Sequence, residues 1–141
     1  MELKSSTAYR TRSMTDRPVR FVVAAVDDDQ SVLRSLAYLL ESADYSARLF
    51  TSANALLESG CVAEIDCLIS DIDMPGTDGL ELLRLVSAER SGLPVILITG
   101  YPETLKRLPA SSERYQRLFV KPFPGPELLE AVSDAIRGSR G

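Results

Sequence analysis

At 141 residues with 45% apolar composition, the chain holds enough for one domain with its own core and too little for two. It has no histidine, which excludes a histidine-dependent triad, an imidazole metal ligand and any phosphohistidine relay carried by this chain. The net charge of −4 is unevenly placed: residues 1–20 set five basic side chains against two acidic ones, a net of +3, which leaves −7 for the rest. Nucleic-acid binding depends on Lys and Arg neutralising phosphates, so no direct nucleic-acid role is expected of so acidic a body.

No stretch approaches the roughly 18 consecutive apolar residues of a membrane span, and no apolar signal core opens the chain. A soluble, cytoplasmic protein without membrane contact is expected. Residues 1–18, polar and without periodicity, are read as a disordered extension before a folded domain at 19–138, with Met14 an alternative start. Cys61 and Cys67 make no CxxC pair, and Cys67 sits in an apolar run where a reduced thiol packs as a small hydrophobe.

Phe21 to Val26 (FVVAAV) is continuously apolar, the pattern of a strand buried on both faces, and Asp27, Asp28 and Asp29 follow it directly. Val32, Leu36, Leu39, Leu40 and Ala43 then recur at helical spacing opposite Arg34, Ser35 and Glu41. Ser46 to Phe50 predicts a short second strand, and Ser52 to Ser59 a helix opening on a serine cap. The third strand, Asp66 to Ser70, runs into Asp71 and Asp73 and then into a turn marked by Pro75, Gly76 and Gly79. Asp78 stands three residues before Glu81, a capping-box spacing, and starts a helix that continues to about Glu89. Leu93 to Thr99 is a fourth strand stopped by Gly100 and Pro102, and Arg117 to Val120 is a fifth. After Pro122 a last helix aligns Leu128, Val132, Ala135 and Ile136 on one face.

Strands alternating with helices form βαβ units, so the prediction is an α/β fold with a parallel, doubly wound sheet covered on both faces. In such sheets ligands bind beyond the carboxyl ends of the strands. The residues there are Asp27 to Asp29, Asp71 and Asp73, Thr99, and Lys121. Three carboxylates about 5 Å apart would repel by roughly 3 kcal/mol per pair at an effective dielectric near 20, so the set calls for cations. Lys121 is one, and Mg2+, which takes one or two carboxylates with waters and a phosphate oxygen, suits the rest. A threonine hydroxyl and a lysine ammonium complete a phosphate pocket, and Asp71, central in the set, is the natural carboxylate nucleophile. Asp29 and Asp78 are read simply as helix caps.

These motifs resemble the receiver domain of two-component response regulators, the CheY-like superfamily, and within it the FixJ-type receivers. The resemblance spans roughly Val19 to Arg137 and rests on VDDD (Val26 to Asp29), SDIDMPGTDGLELL (Ser70 to Leu83), VILITG (Val95 to Gly100) and VKPF (Val120 to Phe123). It implies a flavodoxin-like five-stranded sheet of order 2-1-3-4-5. It implies a switch, not a turnover enzyme, that accepts a phosphoryl group on Asp71 from a sensor histidine kinase or a phosphotransfer protein. Asp27 and Asp28 match the family's metal-binding acidic pair, and Asp73 the position whose backbone carbonyl ligates Mg2+ or Mn2+. Thr99 matches the phosphoryl-contacting hydroxyl and Lys121 the ion-pairing lysine. Asp73 and Tyr101, each two residues beyond a site residue, match positions bordering the path of the attacking water.

Two departures bear on output. Leu118 occupies the place, three before the lysine, where the family carries a rotating aromatic, and Phe119 should face the other side of its strand. Pro109 and Ser111-Ser112 interrupt the segment where a long fourth helix belongs, so that helix should be short or irregular. Switching is therefore expected to use movement of the segment from Pro102 to Gln116. The downstream partner is either another protein or an effector domain outside this chain, and a homodimer is compatible with either. Two other readings stand beside this one: a pseudo-receiver that binds its partner without phosphate, and a haloacid-dehalogenase-type phosphatase. The latter also sets DxD, Thr/Ser and Lys at strand ends, but with its nucleophile after the first strand and its acidic pair after the lysine.

Overall fold

The structure is a computed structural model that describes residues 20–108 and 115–140. The predicted extension at 1–18 lies outside the described residues, as do Pro109, Ser111 and Ser112. β1 (Val22–Val26) leads into α1 (Gln30–Ser42), β2 (Ser46–Phe50) into α2 (Ala53–Ser59), and β3 (Cys67–Asp71) into α3 (Gly79–Glu89). β4 (Val95–Thr99) is followed by a 3-10 helix (Pro102–Arg107), then β5 (Arg117–Val120) and α4 (Gly125–Arg140). The strands pair in parallel in the order β2-β1-β3-β4-β5, the flavodoxin-like arrangement.

The sheet divides the core in two. Ala24, Val26, Leu68 and Leu97 face α2 and α3, meeting Leu56, Leu82, Leu83 and Val86. Their neighbours Val23, Ala25, Ile69, Ile96 and Ile98 face Leu33, Leu36 and Leu40 of α1 and Leu128, Val132 and Ile136 of α4. Successive strand residues point to opposite faces, and both faces are covered, which is why these strands read as unbroken apolar runs. Leu118 and Phe119 obey the same alternation, Leu118 packing on the α2/α3 side and Phe119 lying in the α1/α4 core. Burial also pushes the Cys67 thiol up to about 12, so it packs as a neutral apolar group.

Each predicted cap is made. Asp29 accepts the Ser31 amide at 2.9 Å, Ser52 the Ala55 amide at 3.0 Å and Asp78 the Glu81 amide at 2.9 Å, each satisfying a donor that a helix start leaves open. Strand boundaries shift for identifiable reasons. β3 begins at Cys67, one residue past the expected start: the Asp66 amide donates to the Val22 carbonyl at 2.7 Å, and the Val22 amide turns to the Asp66 carboxylate at 2.8 Å in place of a further backbone carbonyl, which ends the ladder there. β4 begins at Val95, not Leu93, because Pro94 has no N–H for the ladder and contributes only its carbonyl, which accepts from Leu68 at 3.0 Å. The expected shortening of the fourth helix is seen as the six-residue 3-10 helix opened by Pro102.

Candidate functional site

Because the strands are parallel, their carboxyl ends meet at one edge of the sheet. There a cleft of about 360 Å3 is lined by Asp27, Asp28, Asp29, Asp71 and Asp73, by Gly100 and Tyr101, and by Lys121. A larger groove of about 910 Å3 between α1 and Lys121–Phe123 is mainly apolar and gathers no carboxylates, so the chemistry belongs to the smaller cleft.

Asp27, Asp28 and Asp71 each bring a carboxylate oxygen within 4.8 Å of the others. Asp27 is buried and held on both sides: Oδ1 accepts the Asp29 amide at 2.9 Å, and Oδ2 accepts from Lys121 Nζ at 3.0 Å. Lys121 also stands 3.5 Å from Asp71 Oδ1, one ammonium between two acids. Its backbone N–H donates to the Thr99 carbonyl at 2.8 Å, and the Lys121–Pro122 peptide is cis. Burial works against the Lys121 charge, but the bond to Asp27 and the charge of Asp71 outweigh it and raise the pKa above its ordinary value.

Asp71 is 4% exposed, and its buried Oδ1 accepts no hydrogen bond among the described residues. Desolvation, reinforced by the charge of Asp27 and only partly offset by Lys121, raises its pKa from 3.8 to about 6. A buried carboxylate oxygen with no hydrogen bond and two further acids beside it is only partly compensated by the Lys121 ammonium at 3.5 Å, and the all-oxygen donor set fits a hard divalent cation.

The backbone that holds Asp71 is pinned by Gly79. The Gly79 N–H donates to the Ile72 carbonyl at 2.9 Å, and a Cβ there would stand 2.4 Å from the Asp71 carbonyl oxygen and 2.7 Å from Ile72 Cα. Gly76, in the turn between them, has φ +76°, a conformation that favours glycine.

Of the residues predicted for the site, Asp27, Asp28, Asp71 and Lys121 converge as expected in position. Thr99 lies beneath them, fully buried, with its hydroxyl bonded to Asp73 Oδ2 and in contact with the Tyr101 carbonyl at 3.2 Å. The other Asp73 oxygen accepts from the Thr104 hydroxyl at 2.9 Å. Thr104 had no signal in the sequence: a threonine in an irregular segment gives no sign of being 3% exposed and bonded to an acid 31 residues away. Tyr101 is 58% exposed at the rim, and Leu118 is paired in register with Leu97, away from the cleft lining.

A doubly wound parallel sheet with an acidic cleft and a lysine at its strand ends defines the architecture, and comparison with known proteins supplies the family. The response regulator receiver domain matches residues 23–133 of this chain, which therefore belongs to that family. The transcriptional regulatory protein FixJ of Azorhizobium caulinodans is 35% identical over 119 residues, covering 84% of this chain and 56% of that protein. FixJ of Bradyrhizobium diazoefficiens is 33% identical over 115 residues, covering 82% of this chain and 56% of its own length. This chain thus spans about half the length of these curated relatives. The signal receiver domain of an HD domain-containing protein from Pseudomonas fluorescens Pf-5 superimposes with a TM-score of 0.77 at 28% identity, covering 86% of this chain and 98% of that one. These matches place the chain in a family of regulatory switches and favour neither the phosphatase nor the pseudo-receiver reading. Among the described residues no helix is long and apolar enough to cross a membrane.

Proposed function

We propose that Asp71 accepts a phosphoryl group from a sensor histidine kinase or a phosphotransfer protein, with Mg2+ or Mn2+ held by Asp28, Asp71, the backbone carbonyl of Asp73, and Asp27 through water. The observation that carries this reading is the buried Asp71 Oδ1, which accepts no hydrogen bond among the described residues, has Lys121 Nζ at 3.5 Å, and stands beside Asp27 and Asp28. When bound, the cation would neutralise charge on the carboxylates and on the incoming phosphoryl oxygens. The Asp71 carboxylate attacks phosphorus as the bond to the donor nitrogen breaks, and Lys121 pairs with the charge that accumulates. Thr99 leaves Asp73 to donate a hydrogen bond to a phosphoryl oxygen. Water later cleaves the acyl phosphate and resets the domain. Output passes to a separate protein or to an effector domain in a longer polypeptide.

Incubation with acetyl phosphate and Mg2+ is expected to give a single phosphoryl adduct by intact mass, absent with chelator and in Asp71→Asn. An adduct retained in that variant would rule Asp71 out as the acceptor. Asp73 and Tyr101 set the lifetime of the adduct. Tyr101→Ala opens the rim of the cleft to water and is expected to speed decay severalfold; decay as slow as in the wild type would remove Tyr101 from this role.

A further inference from the structure

We propose that Thr104 is a positioning residue for phosphoryl transfer, acting through Asp73: the two form a latch that commits the Thr99 hydroxyl to Asp73 while Asp71 is unmodified. The proposal rests on the reading of Asp71 as acceptor. Thr99 Oγ1 has one proton, which goes to Asp73 Oδ2, and it accepts the Tyr101 amide at 3.0 Å. Directed at the charged Asp73 rather than at the neutral Tyr101 carbonyl 3.2 Å away, that proton is committed. Asp73 is fixed in turn by Thr104, whose own amide donates to the Tyr101 carbonyl at 2.9 Å within the 3-10 helix.

A hydrogen bond to a carboxylate is stronger than a neutral one, so the Thr104 hydroxyl holds Asp73 in place against the Thr99 hydroxyl. A phosphoryl oxygen and the Asp73 carboxylate are both anionic acceptors competing for the Thr99 proton, and they repel each other. The latched and modified states therefore exclude one another. Modification of Asp71 takes Thr99 from Asp73, and the loosened carboxylate slackens its hold on the helix that carries Thr104. This links the site to the β4–β5 connection without a rotating ring at Leu118.

Beryllofluoride with Mg2+, titrated into the full chain and followed by calorimetry, tests this. Thr104→Val is expected to bind the mimic about tenfold tighter, while Thr104→Ser, which keeps the hydroxyl, matches the wild type. In an Asp73→Ala background Thr104→Val should change nothing, because Thr104 acts only through that carboxylate. In metal-free protein, hydrogen exchange at the Tyr101 amide should rise in Thr104→Val and return to the wild-type rate in Thr104→Ser. Unchanged or weaker binding in Thr104→Val, failure of the serine to restore, or an undiminished effect in the Asp73→Ala background overturns the latch.

Should Thr104→Val not fold, Asp73→Ala decides. Its residues 101–107 should exchange as fast without ligand as the wild type's do with the mimic, and wild-type protection there overturns the proposal. Binding by the wild type but not by Asp71→Asn, with no change in Thr104→Val, refutes the latch alone. If the wild type takes up no mimic, or Asp71→Asn binds it equally well, the acceptor reading fails and the latch falls with it.

Discussion

Gly79→Ala is expected to lower stability by about 3 kcal/mol or more and to suppress phosphoryl labelling at Asp71. Helix propensity argues the other way, since alanine in a helix is favoured over glycine by up to about 1 kcal/mol. The contacts decide. The atoms that an added Cβ would meet, at 2.4 Å and 2.7 Å, are backbone of Asp71 and Ile72 and have no rotamer to yield. Either the start of α3 retreats, losing the Gly79 bond to the Ile72 carbonyl, or the turn carrying Asp71 and Asp73 shifts. Gly92→Ala, where an added Cβ meets nothing within 4 Å, is the control. Urea unfolding midpoints and adduct yield measure both effects, and a Gly79→Ala protein as stable and as readily labelled as the control would contradict the close approach.

The second large effect changes sign with conditions. In chelator at pH 7.5, Asp71→Asn should be more stable than the wild type by roughly 2 kcal/mol, a rise in Tm of about 6 °C. Burial and the charge of Asp27 hold the folded pKa near 6, above the ordinary 3.8, so the folded state keeps a proton that the unfolded chain has already released. The wild type therefore carries no penalty below about pH 4, loses stability as pH rises toward 6, and carries the full penalty above it. The advantage of the variant should fade over that same window on acidification. With Mg2+ added the order should reverse, because the cation binds the folded wild type and stabilises it by mass action. Thermal melts at pH 4 and pH 7.5, with and without the metal, check all of this. A wild type more stable than the variant in chelator at pH 7.5 would show that the buried charge is already compensated.

The inner strands β1, β3 and β4 were legible because both their faces are covered, so FVVAAV and VILIT appear as unbroken apolar runs, whereas the edge strands β2 and β5 are partly exposed and read only as short segments between turns. The caps at Asp29, Ser52 and Asp78 were legible because capping is local, decided within three residues. The meeting of Asp27, Asp28, Asp71 and Lys121 followed from topology, since a parallel sheet brings the carboxyl ends of its strands to one edge. What stayed hidden depends on side-chain direction across long separations. Nothing in the order of residues says that Asp73 turns toward Thr99 and Thr104, or that Asp66 ends at the Val22 amide. The strand starts at Cys67 and Val95 were missed because they depend on how single polar groups are satisfied.

The two half-cores have a wider implication. The sheet stands between them as a bulkhead: α1 and α4 pack on one side and α2 and α3 on the other, with fully buried β3 and β4 as its middle planks. Packing changes on opposite sides, too far apart to share partners, should simply add. Traffic between the compartments is easiest around the rim, and at one rim stand Asp27, Asp71, Thr99 and Lys121. A charged group arriving there would act at an edge next to both half-cores, so one event could be felt on either side of the sheet without either core being repacked for it.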